Sequence, residues 1–332
     1  MAFFLFFSGR DRSERVAIEE TVRDPSPGEV TADAEPSADE RSAVDLAVTP
    51  ESDQAAESDQ AAEPDQAAES DQAAEPDQAA EPEILHFVDV FGEPYETEID
   101  PDVPRTEYGP EGFERGSDQK YRYADAQYTS RLGVDVSHHQ GVIDWEAVRE
   151  EGFAFAFLRL GFRGYGKAGA IHPDKQFETN VENARKAGLE VGVYFFSQAV
   201  NEEEAREEAA FVIEQLNDHP IDLEVVYDPE SILDDEARTD NVSGEQFTRN
   251  TLAFCRMIEE AGYRPMIYSN MLWEAFEFDM SALKDYPFWY ADYEPLPQTP
   301  YRFRYWQYSN EGTVKGIHGA ADLNLEFLPA AK

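Results

Sequence analysis

Short apolar segments alternate with longer segments of helical period from residue 131 to the end of the chain. The short segments are rich in β-branched and aromatic residues and predict strands, whereas the longer ones carry apolar residues three or four positions apart and predict helices. Gly152, Gly188 and Gly262 each follow a predicted helix, where glycine commonly ends one. The predicted strands are 132–136, 153–159, 190–196, 225–228, 265–269, 288–291, 303–308 and 320–323, and the predicted helices are 144–151, 174–187, 201–216 and 244–261.

The order of these elements predicts an α/β fold, with a parallel sheet and helices packed outside it. Eight strands fit a modified TIM-like (β/α) barrel over residues 131–332, although helices become scarce after residue 280. An open, doubly wound sheet is the alternative architecture. No glycine-rich phosphate loop follows any predicted strand, which disfavours the nucleotide-binding form of that alternative.

The first 130 residues have a different pattern and divide into two parts. Residues 51–80 consist of five six-residue repeats of the type ESDQAA or EPDQAA. A period of six does not match the helical period of 3.6, and alanine is the only apolar residue in the repeats. We therefore predict that residues 1–83 form a disordered acidic region. Residues 84–130 regain apolar and aromatic residues, and we expect them to be an N-terminal extension packed on the barrel.

The charge of the chain limits its possible partners. The sequence has 70 Asp and Glu residues against 27 Lys and Arg residues, a formal net charge of −43. Such a chain repels phosphate backbones, so nucleic acid is not an expected partner. No apolar run has the length of a membrane span. The run at residues 2–7 lacks a basic segment before it, so it is either the end of a signal peptide with a misplaced start or a disordered terminus.

Carboxylates stand at the ends of three predicted strands. Asp135 lies near the end of the first strand, Asp228 ends the fourth with Glu230 just beyond it, and Asp322 lies on the eighth. Barrel enzymes place their working residues at the carboxyl ends of the strands, and the first and eighth strands are neighbours in a closed barrel. We therefore expect all four acids to face one mouth of the barrel.

The spacing of Asp228 and Glu230 suggests a chemistry for that mouth. Residues two apart on a strand point to the same side, and Pro229 marks the end of the strand because it cannot donate to a ladder. Neighbouring carboxyls in a partly dry pocket resist being charged together, which leaves an acid beside a carboxylate. Glycoside cleavage uses such a pair. An Asp-x-Glu triplet alone is more often a solvated loop, and Asp135 or Asp322 alone could be structural.

Aromatic residues at the predicted strand ends provide a second indication. Sugar rings stack on aromatic faces, and the polar tips of Tyr and Trp bond to hydroxyl groups. Core packing is the alternative role for each of these side chains. The candidates for contact with a sugar are Tyr194, Tyr268, Trp289, Tyr290 and Trp306.

Metal and disulfide chemistry find little support in the sequence. The single cysteine, Cys255, lies in a predicted helix, so neither an internal disulfide nor a cysteine cluster for zinc can form. No histidine lies near Asp228 and Glu230 in the sequence, and we expect no metal or other cofactor.

The segment from about 131 to 327 resembles glycoside hydrolase family 25, the N-acetylmuramidases (lysozymes) with a modified β/α barrel. The resemblance extends over nearly the whole predicted barrel, and its motifs appear in order. They are GVDVSHHQGVIDW (133–145), LRLGFRGYG (158–166), VGVYFFSQA (191–199), VVYDPE (225–230), YRPMIYSN (263–270), FWYADY (288–293), YWQYSNEGTVKGI (305–317) and ADLN (321–324).

This resemblance implies hydrolysis of the β-1,4 bond between N-acetylmuramic acid and N-acetylglucosamine in peptidoglycan. It implies that Glu230 is the general acid/base and Asp228 its carboxylate partner, with Asp135 and Asp322 as the other acids of the site. Tyr194, Trp289 and Gln307 fall at positions that resemble sugar contacts of the family. Whether an Asp or the substrate acetamido group is the nucleophile stays open.

The same resemblance implies a monomer that binds peptidoglycan glycan strands, outside the cell or in the cell wall. Two other functions remain as alternatives. One is hydrolysis of another aminosugar polymer. In family 18 chitinases, further aspartates precede the Asp-x-Glu at two-residue steps, whereas Glu224 and Val226 stand there in this chain. The other is a wall-binding module without catalysis, which would bind peptidoglycan without turnover.

Overall fold

A closed barrel of eight strands forms the centre of the computed structural model, which describes residues 81–216, 219–232 and 237–330. Most of the predicted disordered region, including the six-residue repeats, lies outside the described residues. The strands are β1 (Ile84–Val88), β2 (Pro94–Glu98), β3 (Phe113–Arg115), β4 (Tyr121–Tyr123), β5 (Tyr128–Val136), β6 (Phe155–Arg163), β7 (Ile171–Pro173), β8 (Glu190–Ser197), β9 (Val225–Pro229), β10 (Pro265–Asn270), β11 (Phe288–Ala291), β12 (Tyr305–Gly312) and β13 (Ala321–Pro329).

The helices of the described residues lie between the first strands of the barrel. Each of the four longer ones overlaps a helix predicted from the sequence. Asn201 accepts a hydrogen bond from the Glu204 N–H at 3.0 Å and so begins the third helix, because its side chain satisfies an otherwise unpaired donor. The helices are α1 (Trp145–Glu150), α2 (Phe177–Lys186), α3 (Glu202–Leu216), α4 (Gly244–Glu260) and α5 (Met280–Leu283).

The barrel closes through its last strand. Around it the strands follow the order β5, β6, β8, β9, β10, β11, β12 and β13, and β13 pairs again with β5. The prediction of an α/β fold with a closed eight-stranded barrel is therefore confirmed, and the open-sheet alternative is wrong.

One strand departs from the predicted parallel arrangement. The barrel strands β5, β6, β8, β9, β10, β11 and β12 run parallel, whereas β13 is antiparallel to both of its neighbours. The short strand β7 lies outside the barrel and pairs antiparallel with β6. A parallel return needs a crossover of about a dozen residues or more. The connection from β12 to β13 spans only residues 313–320 and contains no helix, so the chain can only turn back.

Aromatic rings fill the inside of the barrel, because every second residue of each strand points inward. Two inward positions must be glycine. A Cβ at Gly133 would lie 2.1 Å from the Phe155 ring, and a Cβ at Gly192 would lie 2.3 Å from the Phe157 ring. The buried interior cluster consists of Phe155, Phe157, Tyr194, Leu223, Val226, Met266, Tyr268, Trp289, Ala291 and Tyr305.

A charged network closes the end of the barrel where the parallel strands begin. Glu224 and Glu326 are buried there, and both accept hydrogen bonds from the Tyr305 hydroxyl at 3.0 Å. Arg304 bridges the two carboxylates at 2.6 and 2.9 Å. These buried charges are paired and hydrogen-bonded, so side chains close this end of the barrel.

Residues 84–130 contact the outside of the barrel through aromatic rings. The Tyr108 ring stacks on Phe327 with centroids 4.0 Å apart, and Phe113 meets Trp306 edge-on at 5.4 Å. The segment contains two hairpins, formed by β1 with β2 and by β3 with β4. Within the described part of the chain, none of the helices combines the length and apolar character that a membrane crossing needs.

Candidate active site

The four acids predicted from the sequence lie in one cleft, at the end of the barrel where the parallel strands finish. Asp135 on β5 and Asp228 on β9 are buried, with 4 % and 3 % of their surface exposed. Glu230, just after β9, and Asp322, on β13, are half-buried. The cleft therefore combines two carboxyls that are shielded from water with two that a ligand can reach.

The antiparallel direction of β13 explains how Asp322 reaches this cleft. Asp322 is the second residue of β13, and it is the register partner of Asp135 near the end of β5. Because β13 runs against its neighbours, its beginning lies where their carboxyl ends lie. Direct partners on adjacent strands have their side chains on the same face. The two acids therefore line the cleft side by side.

Side chains along strand β9 point alternately into and out of the barrel, and this alternation directs Asp228 into the cleft. Val226 lies in the interior cluster, whereas Tyr227 lies in the outer core between barrel and helices. The Tyr227 hydroxyl bonds to the Ser197 hydroxyl at 2.8 Å, and Ser197 also donates to the buried Glu208 at 2.7 Å. These outer contacts hold Tyr227 on the outer side of the barrel, so the next residue, Asp228, points inward.

The backbone at Glu230 is held by a residue that the sequence analysis did not single out. The Gln198 side chain, 1 % exposed, donates from its Nε2 to the Glu230 carbonyl oxygen at 2.6 Å. Thr239 in turn donates to Gln198 Oε1 at 3.1 Å. Because β9 ends at Pro229, Glu230 lies beyond the hydrogen-bonded strand, and the hydrogen bond from Gln198 supports its backbone there.

Asp135 is fixed by two amide side chains. Its Oδ2 accepts hydrogen bonds from Gln307 Nε2 at 2.9 Å and from Asn324 Nδ2 at 2.8 Å. Gln307 accepts from the hydroxyls of Tyr268 and Tyr293, both at 3.0 Å. The amide orientation of Gln307 is therefore determined by its neighbours, and its N–H groups are directed to the carboxylate.

A tryptophan continues this network into the cleft floor. Asn324 is fully buried, and its Oδ1 accepts from Trp289 Nε1 at 2.8 Å. The Trp289 ring packs on Phe157 with centroids 4.8 Å apart, and Tyr268 meets it edge-on at 5.1 Å. The Trp289 ring therefore has a fixed orientation beneath the carboxyl groups.

Four of the predicted sugar contacts line the same cleft: Tyr194, Tyr268, Trp289 and Gln307. Two others do not. Tyr290 and Trp306 are completely buried on the outer side of the barrel, where both bond to Asp292, the first at 2.8 Å to its carboxylate and the second at 2.8 Å to its carbonyl oxygen. The prediction that they contact a sugar is therefore wrong.

The cause of that error is the alternation along the strands. Tyr290 follows Trp289 and Trp306 precedes Gln307, so an inward position on each strand places its neighbour outside. The aromatic character of a strand end does not by itself show which of two neighbouring residues points inward. The lining also includes residues that were not singled out: Val136, Ser137, His139, Gln140, Tyr293, Asn310 and Ala320.

The composition of the cleft defines a class of protein. Carboxyl groups of different exposure lie above an aromatic floor and beside amide side chains, which is the arrangement that glycoside cleavage uses. No group of three His, Cys, Asp or Glu residues within the described ranges could hold a metal ion. The cleft therefore has the composition of a glycosidase site.

Comparison with known proteins gives the family. The model of glycosyl hydrolases family 25 matches residues 134–317, more than half of the chain. The chain belongs to this family and is a glycoside hydrolase of the lysozyme type. The predicted resemblance is thereby confirmed.

Individual relatives match the same region. The chain is 27 % identical to lysozyme M1 of Streptomyces globisporus over 230 residues, covering 64 % of this chain and 73 % of that protein. It is 25 % identical to the autolytic lysozyme of Clostridium acetobutylicum over 193 residues, covering 58 % of this chain and 54 % of that protein.

Among solved structures, the spore cortex lytic enzyme SleM of Clostridium perfringens has a similar fold. The TM-score is 0.53 at 22 % identity, and the match covers 59 % of this chain and 67 % of that one. At 22 % identity this match supports the fold alone, and it shows that a solved structure has a fold similar to this one.

Proposed function

We propose that this protein is an N-acetylmuramidase, which hydrolyses the β-1,4 bond between N-acetylmuramic acid and N-acetylglucosamine in peptidoglycan. The observation that carries the proposal is the meeting of Asp135, Asp228, Glu230 and Asp322 in one cleft of a family 25 chain. Relatives named as lysozymes support it. We also propose that the enzyme acts as a monomer. We place its action outside the cell or in the cell wall, because peptidoglycan is found there.

Glu230 is the general acid/base in this proposal. It follows the end of β9 and is half-buried, so a glycosidic oxygen in the cleft can reach its carboxyl group. As an acid it protonates the leaving oxygen, and as a base it later takes a proton from water. The Gln198 bond to its carbonyl holds the backbone during both steps.

Asp228 supplies negative charge next to the anomeric carbon. It is buried on β9, two residues before Glu230 and on the same side of the chain. A carboxylate that is shielded from water stabilises the oxocarbenium-like transition state more strongly than an exposed one. If the substrate acetamido group is the nucleophile, Asp228 orients that group and stabilises the positive charge that develops on it.

The floor of the cleft positions the sugar ring. Trp289, Tyr194 and Tyr268 offer ring faces and edges, and the network through Gln307 and Asn324 keeps Asp135 in a single orientation. Because these groups are fixed before substrate binds, little ordering remains to be done in the transition state.

The substitution Glu230→Gln tests the proposal. It removes the transferable proton but keeps the size of the side chain. We expect the release of reducing ends from purified peptidoglycan to fall by roughly 10²–10⁴-fold, the usual contribution of a general acid/base. The melting temperature should stay at the wild-type value, because Glu230 is not in the core.

A matched control is Glu260→Gln, an exposed glutamate at the end of α4, which should retain full activity. Undiminished activity of Glu230→Gln would refute the role given to Glu230. If the wild-type protein binds peptidoglycan in a pull-down but releases no reducing ends, the chain acts as a wall-binding module instead.

A further inference from the structure

A second cavity opens beside the active-site cleft and shares Tyr293 and Asn310 with it. One wall comes from the end of β12 and the residues after it. The other comes from the hairpin of β3 and β4, which contributes Arg115, Asp118 and Gln119. The family match begins at residue 134, so this second wall belongs to the N-terminal extension and lies outside the matched region.

The hairpin is held firmly against the barrel. Tyr121 packs on Trp306 at 5.0 Å and on Tyr308 at 5.2 Å between ring centroids. Lys120 forms a largely buried ion pair with Glu151 of the barrel region at 2.7 Å. Ring packing and an ion pair therefore anchor the hairpin wall of the second cavity to the barrel.

Among the described residues that line this cavity, Arg115 is the only basic one. It is exposed, and its guanidinium lies 5.5 Å from the centre of the Tyr121 ring. Within the described ranges it forms no ion pair, whereas Arg122 of the same hairpin pairs with Asp118 at 3.0 Å. Of the two carboxylates that line the cavity, Asp118 pairs with Arg122, so Arg115 and Glu311 are the charged groups left to a ligand, a combination that suits a peptide with both carboxylate and amino groups.

We propose that the second cavity binds the peptide that branches from the glycan strand, and that Arg115 contacts one of its carboxylates. This inference rests on the proposed function. The peptide is attached to the N-acetylmuramic acid unit, so a glycan in the active-site cleft brings it next to the shared residues Tyr293 and Asn310. The polar groups of Ser309, Asn310 and Thr313 can bond to its amides.

The charge of the ligand distinguishes the peptide from a continuation of the glycan. Glycan units without peptide carry no carboxylate that would match a guanidinium, apart from the lactyl group that becomes free when the peptide is removed. A neutral sugar would need only the aromatic and amide groups of the cavity. The effect of removing Arg115 therefore distinguishes a peptide in the second cavity from a glycan there.

The test compares kcat and KM of wild-type enzyme and Arg115→Gln on two soluble substrates. One is a peptide-bearing glycan chain, and the other is the same chain with its peptide carboxyls converted to amides. For an exposed ion pair we expect Arg115→Gln to raise KM for the first substrate roughly fivefold and to leave kcat unchanged. On the amidated substrate the variant and the wild type should have equal KM values.

The matched control is Arg302→Gln, since Arg302 is also exposed, forms no ion pair within the described ranges and lines neither cavity. It should have the wild-type KM on both substrates. An equal rise in KM for Arg115→Gln on both substrates would indicate a glycan contact and overturn the inference, as would no change on either. If the wild type cleaves neither substrate, the proposed function itself fails, which is a different result.

Discussion

At the scale of single residues, the site depends on side chains that hold the acids as much as on the acids. Asp135 receives two N–H donors, and each donor is itself oriented by an aromatic partner. Removing one of the donors should therefore impair catalysis without removing any carboxyl group.

The substitution Asn324→Ala tests this network. It removes one hydrogen bond to Asp135 and leaves Trp289 Nε1 without its acceptor. A hydrogen bond to a charged group contributes about 1.5–3 kcal/mol, so we expect kcat/KM on peptidoglycan to fall roughly 10- to 100-fold. The control is Asn180→Ala, because Asn180 is also buried and also accepts from a tryptophan, Trp145.

Both variants should lose stability, but only Asn324→Ala should lose activity per folded molecule. Equal activity of the two variants at a temperature where both are folded would contradict the role of the network. Circular dichroism at the assay temperature verifies that both proteins are folded.

Sequence reasoning found the four acids because each stands at a strand end, a position that the hydrophobic pattern defines. It did not find Gln198 or Asn324, since a single polar residue carries no periodic signal and its partner is distant in the chain. For Tyr290 and Trp306 the residue type suggested a sugar contact, but the phase of the strand decided against it. Which residues of a strand point inward depends on packing against both the barrel interior and the helices.

At the scale of elements, the positions of the helices and barrel strands could be predicted, whereas the direction of one strand could not. All eight barrel strands overlap a predicted strand. The reversal of β13 follows from its short connection, which the pattern of apolar residues does not describe. The reversal also brings Asp322 to the cleft from the start of its strand instead of the end.

The turn after β10 contains a buried acid that should make stability depend on pH. Glu274 is 5 % exposed and accepts hydrogen bonds from Ser269, at 2.8 Å, and from Thr299. Burial raises the pKa of its carboxyl from 4.5 to about 7. The folded state therefore holds this proton more tightly than the unfolded state does, and the associated stability is lost as the pH rises from about 4.5 to 7.

The substitution Glu274→Gln removes this titration but keeps a neutral group of the same shape. Relative to the variant, the wild type should lose up to roughly 3 kcal/mol of unfolding free energy between pH 4.5 and pH 8. Denaturant unfolding at both pH values measures the difference. Glu260→Gln, at an exposed site, should show no such change. A constant difference between wild type and Glu274→Gln would contradict the account.

At the scale of the whole molecule, the chain joins a family 25 barrel to an extension that this family match does not include. The sequence indicated such an extension through its aromatic residues, but not that its β3–β4 hairpin would form the wall of a cavity next to the active site. That arrangement depends on contacts between residues 113–123 and β12, which are separated by nearly the whole barrel sequence. Long-range contacts of this kind leave no local pattern.

The net charge also acts at this scale. The value of −43 gives the molecule no general attraction to an anionic cell wall, so we expect specific groups, such as those of the cleft, to provide the binding. Arg115 is such a group in the peptide contact that we propose, and its effect on KM tests that contact.

The identity of the new reducing end tests the central claim most directly. Purified peptidoglycan is digested with the wild-type protein, the products are reduced with borohydride, and the reduced sugar is identified after acid hydrolysis. Cleavage as proposed yields reduced muramic acid, and Glu230→Gln yields roughly 10²–10⁴-fold less of it in the same time. Reduced glucosamine in its place would contradict the account, because it would show that the enzyme cleaves the other glycosidic bond of the strand.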